Sequence, residues 1–504
     1  MASAFAVTRN HLIFGLCLPL AVLLGYMLAD IDDPASRLVI LVALAILGVP
    51  VLMRWHHPLL ILSWNMTAQP ALPGNPHLWA VMAFLSLFFA VLNRSVNAKH
   101  RIAHVPALTR PLVVFATVVL LTAFLTGGAG LRILGSSSVG GRGYFYIIAA
   151  VAGFFALSSR AIPPNRAMLY MALFFLPGLT GMAGQVAGLL GVKAGYVYLL
   201  FPSDLRPDEF IADPNFDSGI LRITGSVAAS LAVFSWLLAR YGIRGTFDMS
   251  RPWRSLLLVT AIVASMFGGF RTTLILMAAI FIILFTLEKL WRTRLAIGLF
   301  GVGLLGCGLL AGFSERFPLP VQRALSFLPI KVDAVTKEMA DYSVQWRVEM
   351  WKAVLPDVPK YLLKGKGYTY SADDLFMAHM EGTRTGAVSF DAAALAGAYH
   401  NGPLSVVIPF GIYGAIAFLW LMVAGARFLY TVYRDGALEL RGINAFLFAL
   451  FLARVMVFLF IFGNLYTELY YFTGILGFSV ALNIAGQRQS VGPEQTGLRD
   501  EGTG

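Results

Sequence analysis

The chain has 504 residues, of which 58% are hydrophobic and only 13% charged, with a formal net charge of +12. A soluble globular chain carries about a quarter charged residues, so this composition excludes that class and describes a protein threaded repeatedly through a membrane. The positive excess is therefore read by where it lies, in short loops on one side of a bilayer, and not as affinity for nucleic acid.

A spanning helix needs roughly 20 apolar residues. Residues 12–29 supply the first, with Arg9 before it and no small-x-small cleavage pattern after it, so it reads as a span and not as a removed signal peptide. An acidic turn at Asp30, Asp32 and Asp33, placed outside, separates it from residues 37–53. Arg54, His56 and His57 then mark a turn on the inside. Residues 58–72 are interrupted by Asn65, Gln69 and Pro70 and read as a tilted or discontinuous span. Residues 78–92 return to a basic inner loop with Arg94, Lys99, Arg101 and Arg110.

Residues 112–126 lead out to a Gly/Ser-rich loop, 127–143, that carries Arg132 and Arg142, and residues 144–157 return. Residues 168–190 go out again to a mixed-charge loop, 191–222, and residues 223–238 come back to Arg240, Arg244, Arg251 and Arg254. The apolar stretch 255–287 is too long for one span. Phe267-Gly268-Gly269-Phe270-Arg271 breaks it into a tight helical hairpin with an outward tip. Residues 295–313 lead out once more.

Residues 314–399 are the only large hydrophilic segment, with ten Lys/Arg balanced by ten Asp/Glu, and read as a small folded outer cap. Spans at 404–423, 443–462 and 469–484 follow, then a polar tail expected to be disordered. The fold class is thus an all-α polytopic membrane protein with about 12–14 transmembrane helices, both termini inside and one mostly helical extracytoplasmic cap. The chain divides into N-terminal transmembrane helices (1–254), helices with the Arg271 hairpin (255–313), the large outer loop (314–400), C-terminal helices (401–485) and the tail (486–504).

Few residues in such a chain carry chemistry. His400 and Asn401 precede Gly402-Pro403, and proline suits a first helical position, so both sit at a helix N-terminus at the membrane surface. The partial positive charge there disfavours imidazolium, and a neutral imidazole is what a general base requires. The alternative is a histidine that only caps the helix. Arg271 at the hairpin tip is either functional or a snorkelling marker of the membrane edge. Arg347 lies in an amphipathic segment with Trp346, Met350, Trp351 and Val354, and is either functional or a surface residue paired with Glu349 or Asp341.

Arg454 falls inside a span and calls for a partner, with Glu468 the nearest acidic residue. Gly140-Gly141-Arg142-Gly143 reads as a flexible lip. Tyr342, Trp346, Tyr368 and Tyr370 are aromatic residues of the outer cap, for which packing is the ordinary role. His379 is isolated, and no P-loop or nucleophile elbow occurs. Without a cluster of His, Asp and Glu, no catalytic metal and no cofactor are expected. Cys17 and Cys307 lie in apolar runs and form no disulfide or metal framework.

Three local patterns resemble the O-antigen ligase and O-antigen polymerase superfamily of bacterial membrane glycosyltransferases. They are Tyr399-His400-Asn401 with Leu404 and Gly411-Ile412-Tyr413-Gly414, Gly269-Phe270-Arg271-Thr272, and Arg347…Trp351…Pro359…Gly365-Lys366-Gly367. Phe270 stands where the family has a small serine, and Pro409-Phe410 where an acidic residue often precedes the glycine.

The resemblance implies an inner-membrane enzyme with its site facing the periplasm. The donor would be a glycan on undecaprenyl diphosphate; the acceptor would be lipid A–core in a ligase, or a second lipid-linked glycan in a polymerase. Arg271 and Arg347 would clamp the diphosphate and His400 would take the acceptor's proton, with Asn401 and Arg142 as further binding residues. Attack would be direct and inverting, and neither metal nor nucleic acid would take part. Membrane lipids are the remaining partner. The rival class is a lipid-linked oligosaccharide flippase, which predicts internal repeats and broken helices in matching halves; no internal repeat stands out in this chain. A structural assembly protein, the third class, predicts that His400, Arg271 and Arg347 lie apart.

Overall fold

The computed structural model describes residues 34–70, 72, 74–96, 105–127, 141–190, 196–198, 200–202, 222–368 and 397–490, besides a few isolated positions before residue 34. The expected first span, Arg132, most of the mixed-charge outer loop, Tyr370, His379 and the tail from residue 491 lie outside these. The chain forms two compact units, Met1–His56 and His57–Gly504.

All regular structure among the described residues is helical, and the protein is an all-α polytopic membrane protein. Seven helices are long and apolar enough to cross a bilayer, and three shorter apolar helices accompany them. That count covers the described residues and is below the 12–14 expected from the sequence. Part of the difference is that apolar runs on either side of a charge are joined. Pro34–Ser63 (α1) is one helix of 30 residues, so Arg54, His56 and His57 stand within it and form no turn. A charge marks sidedness but does not break a helix. The break comes at residues 64–70, where the freed polar groups find protein partners: Asn65 Nδ2 donates to Phe174 O at 2.8 Å, and Gln69 N to Leu200 O at 2.7 Å.

Next come α2 (Leu78–Val96), α3 (Pro106–Leu125), α4 (Gly141–Leu157), α5 (Ala167–Phe175) and α6 (Gly181–Leu190). The last two are joined by a 3-10 turn, Leu176–Thr180. After them, α7 (Gly225–Thr246), α8 (Trp253–Met266) and α9 (Arg271–Leu287) follow, with α8 and α9 forming the expected hairpin. The apolar helix α10 (Arg294–Phe313) buries no residue.

The cap begins with α11 (Leu319–Leu325), α12 (Ala334–Val354) and the short α13 (Val358–Tyr361). Gln322 knits its start, donating from Nε2 to Phe317 O at 2.8 Å and accepting from Asp333 N at 2.7 Å. Asp333 caps α12 by accepting from Thr336 N at 3.0 Å.

Three helices close the chain: α14 (Gly402–Asp435), α15 (Arg441–Phe460) and α16 (Leu465–Ser490). The first is longer than expected and carries Arg427 and Arg434 inside the helix. It breaks at Pro409 and Gly411, where proline cannot donate and Gly411 takes φ +64°. The cap fills the break. Lys366 N donates to Ile408 O at 2.8 Å, Gly367 N to Pro409 O at 2.9 Å, and Ile412 N to Leu362 O at 2.7 Å. A Cβ on Gly365 would strike Pro409 O, and one on Gly411 would strike Leu362 O. The two glycine motifs of the sequence are thus the two halves of one joint between cap and membrane helix.

Candidate active site

One helix sets the geometry. On α12, Ala340 and Arg347 are seven residues apart and Trp351 follows four later, so all three share a face. Ala340 O accepts from Arg271 Nη2 at 2.9 Å, which ties the α8–α9 hairpin to the cap. Trp351 Nε1 donates to Tyr399 O at 2.8 Å, fixing the backbone just before His400. Met350, fully buried and one turn on from Arg347, anchors the helix beside that face.

His400 stands in left-handed backbone, φ +50°, which a non-glycine residue adopts only when its surroundings hold it there. Asn401, and not His400, is the helix cap: its Oδ1 accepts from Leu404 N at 3.0 Å. The imidazole is left to face the cap. Its ring packs edge-on to Trp346 at 5.8 Å and against Phe462 at 5.2 Å, and its Nδ1 is buried with no hydrogen-bond partner among the described residues. Arg347 lies over the other half of this arrangement, its Cζ 5.3 Å from the Phe462 ring centroid. Burial and then the Arg347 charge push the His400 pKa below its ordinary value, so the imidazole is neutral near pH 7.

The structure adds two residues that the sequence reading did not single out. Ile223 N donates to Phe267 O at 3.0 Å, bringing the start of α7 to the hairpin tip. Gly269 there has φ +70°, with the Arg222 side chain lying across it, and Arg222 Cζ sits 5.8 Å from the Phe270 ring centroid. Phe270 is thus a platform under a guanidinium, and α9 begins with no side-chain cap. Arg323 of α11 is the second addition, and its Nη1 is buried with no hydrogen-bond partner among the described residues.

Arg323 feels the charges of Arg222, Arg271 and Arg347, and Arg347 feels that of Arg271. Burial pulls the Arg323 pKa down to about 10, and the charges of Arg222, Arg271 and Arg347 add to that. Arg347 is lowered by burial and then by Arg271, and Arg222 by burial. Among the described residues, no carboxylate lies within ion-pair distance of any of the four. Arg347 is therefore paired with neither Glu349 nor Asp341; Glu349 accepts instead from Gln345 Nε2 at 2.8 Å. Nor do His, Cys, Asp or Glu gather in threes as metal ligands among the described residues.

A neutral histidine beside Arg347, itself one of four arginines without a counter-ion among the described residues, suits an anionic substrate and a partner that gives up a proton. Residues 256–419 match the O-antigen ligase family. The resemblance to the O-antigen ligase and polymerase superfamily is shown by this match, which spans about a third of the chain. It contains Arg271, Arg323, Arg347 and His400 and leaves out Arg222. No curated protein matches the chain. The match supports a glycosyltransferase of the O-antigen ligase kind in a multi-pass membrane protein.

The remaining residues named from the sequence divide. Tyr368 is buried against Tyr144, Phe410 and Tyr466 and packs the joint described above. Tyr342 is exposed. Arg142 opens α4, is exposed, and lies with its Cζ 5.7 Å from the Tyr146 ring centroid. It lines a cavity that includes none of Arg271, Arg347 or His400. Arg454 lines the same cavity and has its expected partner, Glu468 Oε2 at 3.2 Å.

Proposed function

We propose that the protein transfers a glycan from undecaprenyl diphosphate to an acceptor hydroxyl at the periplasmic face of the bacterial inner membrane. The observation that carries this reading is a group of four arginines with no carboxylate at ion-pair distance among the described residues, one of which, Arg347, acts on a half-buried, neutral His400. Mutual repulsion of half-buried cations costs stability, and a bound diphosphate relieves it with bidentate guanidinium contacts.

The acceptor oxygen forms its bond to the anomeric carbon as the bond from that carbon to the diphosphate oxygen breaks. The electron pair leaves on the diphosphate, where the guanidiniums stabilise the growing charge. The acceptor's proton passes to His400. Displacement in this reading is direct and inverting, with no glycosyl intermediate on the protein. The arginines supply the charge that a divalent cation would otherwise bring. Lipid A–core is the acceptor of a ligase and a second lipid-linked glycan that of a polymerase.

The test is complementation in cells with His400→Ala and, separately, Arg271→Ala, checking that each variant reaches the membrane. Loss of surface glycan with donor accumulating on the outer leaflet is the expected result. Donor trapped on the inner leaflet would establish a flippase instead, and unchanged surface glycan would refute transfer at this site.

A further inference from the structure

A cavity of about 520 Å³ lies at the same end of the helices as His400, and it stands apart from the arginine group. Its position follows from the chain. It sits where α2, α4 and α16 begin and where α15 nears its end. The turn between α15 and α16 carries Phe462, which touches His400. Four residues later, Tyr466 both lines the cavity and packs against Tyr368 at 6.1 Å, beside the joint that holds the cap. None of the lining residues falls within residues 256–419.

Two kinds of surface meet in this space. One is aromatic. Trp79 and Tyr470 stack at 4.6 Å with planes 14° apart, and Trp64 tilts against both at 5.4 and 6.2 Å. The other is polar. Arg454 and Glu468 pair at 3.2 Å, Arg142 is exposed at the rim, and His77 faces in beside Tyr146. Burial, then the Arg142 charge, holds the His77 pKa down at about 4, so it is a neutral ring with one donor and one acceptor.

These surfaces exclude some occupants. A lipid tail would leave the Arg454–Glu468 pair facing hydrocarbon. A second diphosphate would meet Glu468, which the arginine group spares it. A sugar ring has an apolar face to lay on an aromatic ring and an edge of hydroxyls for charged and neutral hydrogen-bonding groups. The volume lies within the ~300–1,000 Å³ usual for small-molecule sites.

We propose that this cavity is a carbohydrate subsite that holds sugar residues of a glycan whose reacting end lies at His400. The inference rests on the transfer reading for that reacting end, and the source of the sugar is the donor glycan or the acceptor glycan.

The experiment uses the full-length protein in lipid nanodiscs and follows the fluorescence of Trp64 and Trp79. Two probes are titrated separately: the water-soluble oligosaccharide freed by mild acid from the cell's lipid-linked glycan, and delipidated lipopolysaccharide core from the same cell. One probe is expected to bind, and which one binds names the source. Arg142→Ala and Tyr470→Ala should each weaken it about three- to tenfold, while Tyr470→Phe keeps binding. Because Arg142 is exposed, its variant tests the cavity even if Tyr470→Ala fails to fold. Binding of neither probe, or binding indifferent to Arg142→Ala, would overturn the proposal. Cavity-dependent binding in a protein whose His400→Ala form still supports surface glycan would keep the carbohydrate subsite and sink the transfer reading at His400. Transfer lost in His400→Ala with neither probe bound would do the reverse.

Discussion

Arg347 and Arg454 both lie against an aromatic ring, Phe462 at 5.3 Å and Tyr471 at 3.4 Å, but only one of them is neutralised. Arg454 has Glu468 at 3.2 Å. The nearest charges acting on Arg347 and Arg323 are other arginines. Arg254, also buried, is held without a carboxylate: it lies 3.8 Å from the Tyr241 ring centroid and donates to Gly245 O at 2.8 Å. A charge that finds its partner within the fold supports the fold. A group of like charges left without counter-ions weakens it, and that cost is informative about what the group binds.

The sharpest way to break the comparison is to remove charge from each region and read activity. His400→Ala should lower transfer by about 10²–10⁴-fold, the usual contribution of a positioned general base. Arg347→Ala should cost about 10²–10³-fold, because it withdraws a donor aimed at the leaving charge. Arg347→Lys should recover only part of this, since an ammonium lacks the planar fork. Transfer rates with purified donor and acceptor decide; equal rates for wild type and Arg347→Ala would place the clamp elsewhere.

The second effect is on stability and has the opposite distribution. Arg454→Ala leaves Glu468, about a quarter exposed in the cavity, without its partner and should cost about 1–3 kcal/mol. Replacing both partners, Arg454→Met with Glu468→Leu, should recover most of that loss. Thermal unfolding in detergent reads both, and a single variant as stable as wild type would show that the pair holds nothing together.

Some of this division was legible in one dimension. Arg271, Arg347 and His400 stand out because each is polar at the border of an apolar or amphipathic run, and Glu468 is the nearest acid to Arg454. Arg222 and Arg323 were not legible. Arg222 closes a mixed-charge loop and resembles any surface residue until Ile223 N bonds Phe267 O and carries it to the hairpin tip. Arg323 had one usable signal: it sits in the apolar Pro-Leu-Pro-Val-Gln-Arg-Ala-Leu stretch with no acid within two turns. Asn401 was read as a substrate contact beside His400, and the sequence did not show that its Oδ1 also caps α14. The turn expected at Arg54 to His57 misled for a different reason, because charge patterning reports sidedness and the backbone there remains helical. The glycine motifs were visible as motifs, but their meaning required the contact between Gly365 and Pro409 O.

A smaller effect separates function from stability within the arginine group itself. Arg323→Gln removes one of four repelling charges and keeps a hydrogen-bonding side chain. The variant should be more stable than wild type without donor, by up to about 1 kcal/mol, while transferring more slowly. Added inorganic diphosphate should raise the melting temperature of wild type more than that of the variant, since a ligand stabilises by its affinity for the folded state. Lower stability in Arg323→Gln would mean that Arg323 is engaged by the fold after all.

The smallest effect is a displacement along the pH axis, and its sign follows from the same repulsion. Neutral His400 is the active form, and burial with the Arg347 charge lowers its pKa from 6.5. The neutral fraction therefore survives to lower pH than for a free imidazole, and the acid limb of kcat/KM should have its midpoint below 6.5. Arg347→Gln removes one of the two causes, so its acid limb should move up towards 6.5 even as the rate falls. Bound diphosphate offsets the Arg347 charge in the same direction, so in wild type the acid limb of kcat should lie above that of kcat/KM. An acid limb that stays in place in Arg347→Gln would show that His400 titrates without sensing Arg347, and the histidine and the arginines would then be two sites and not one.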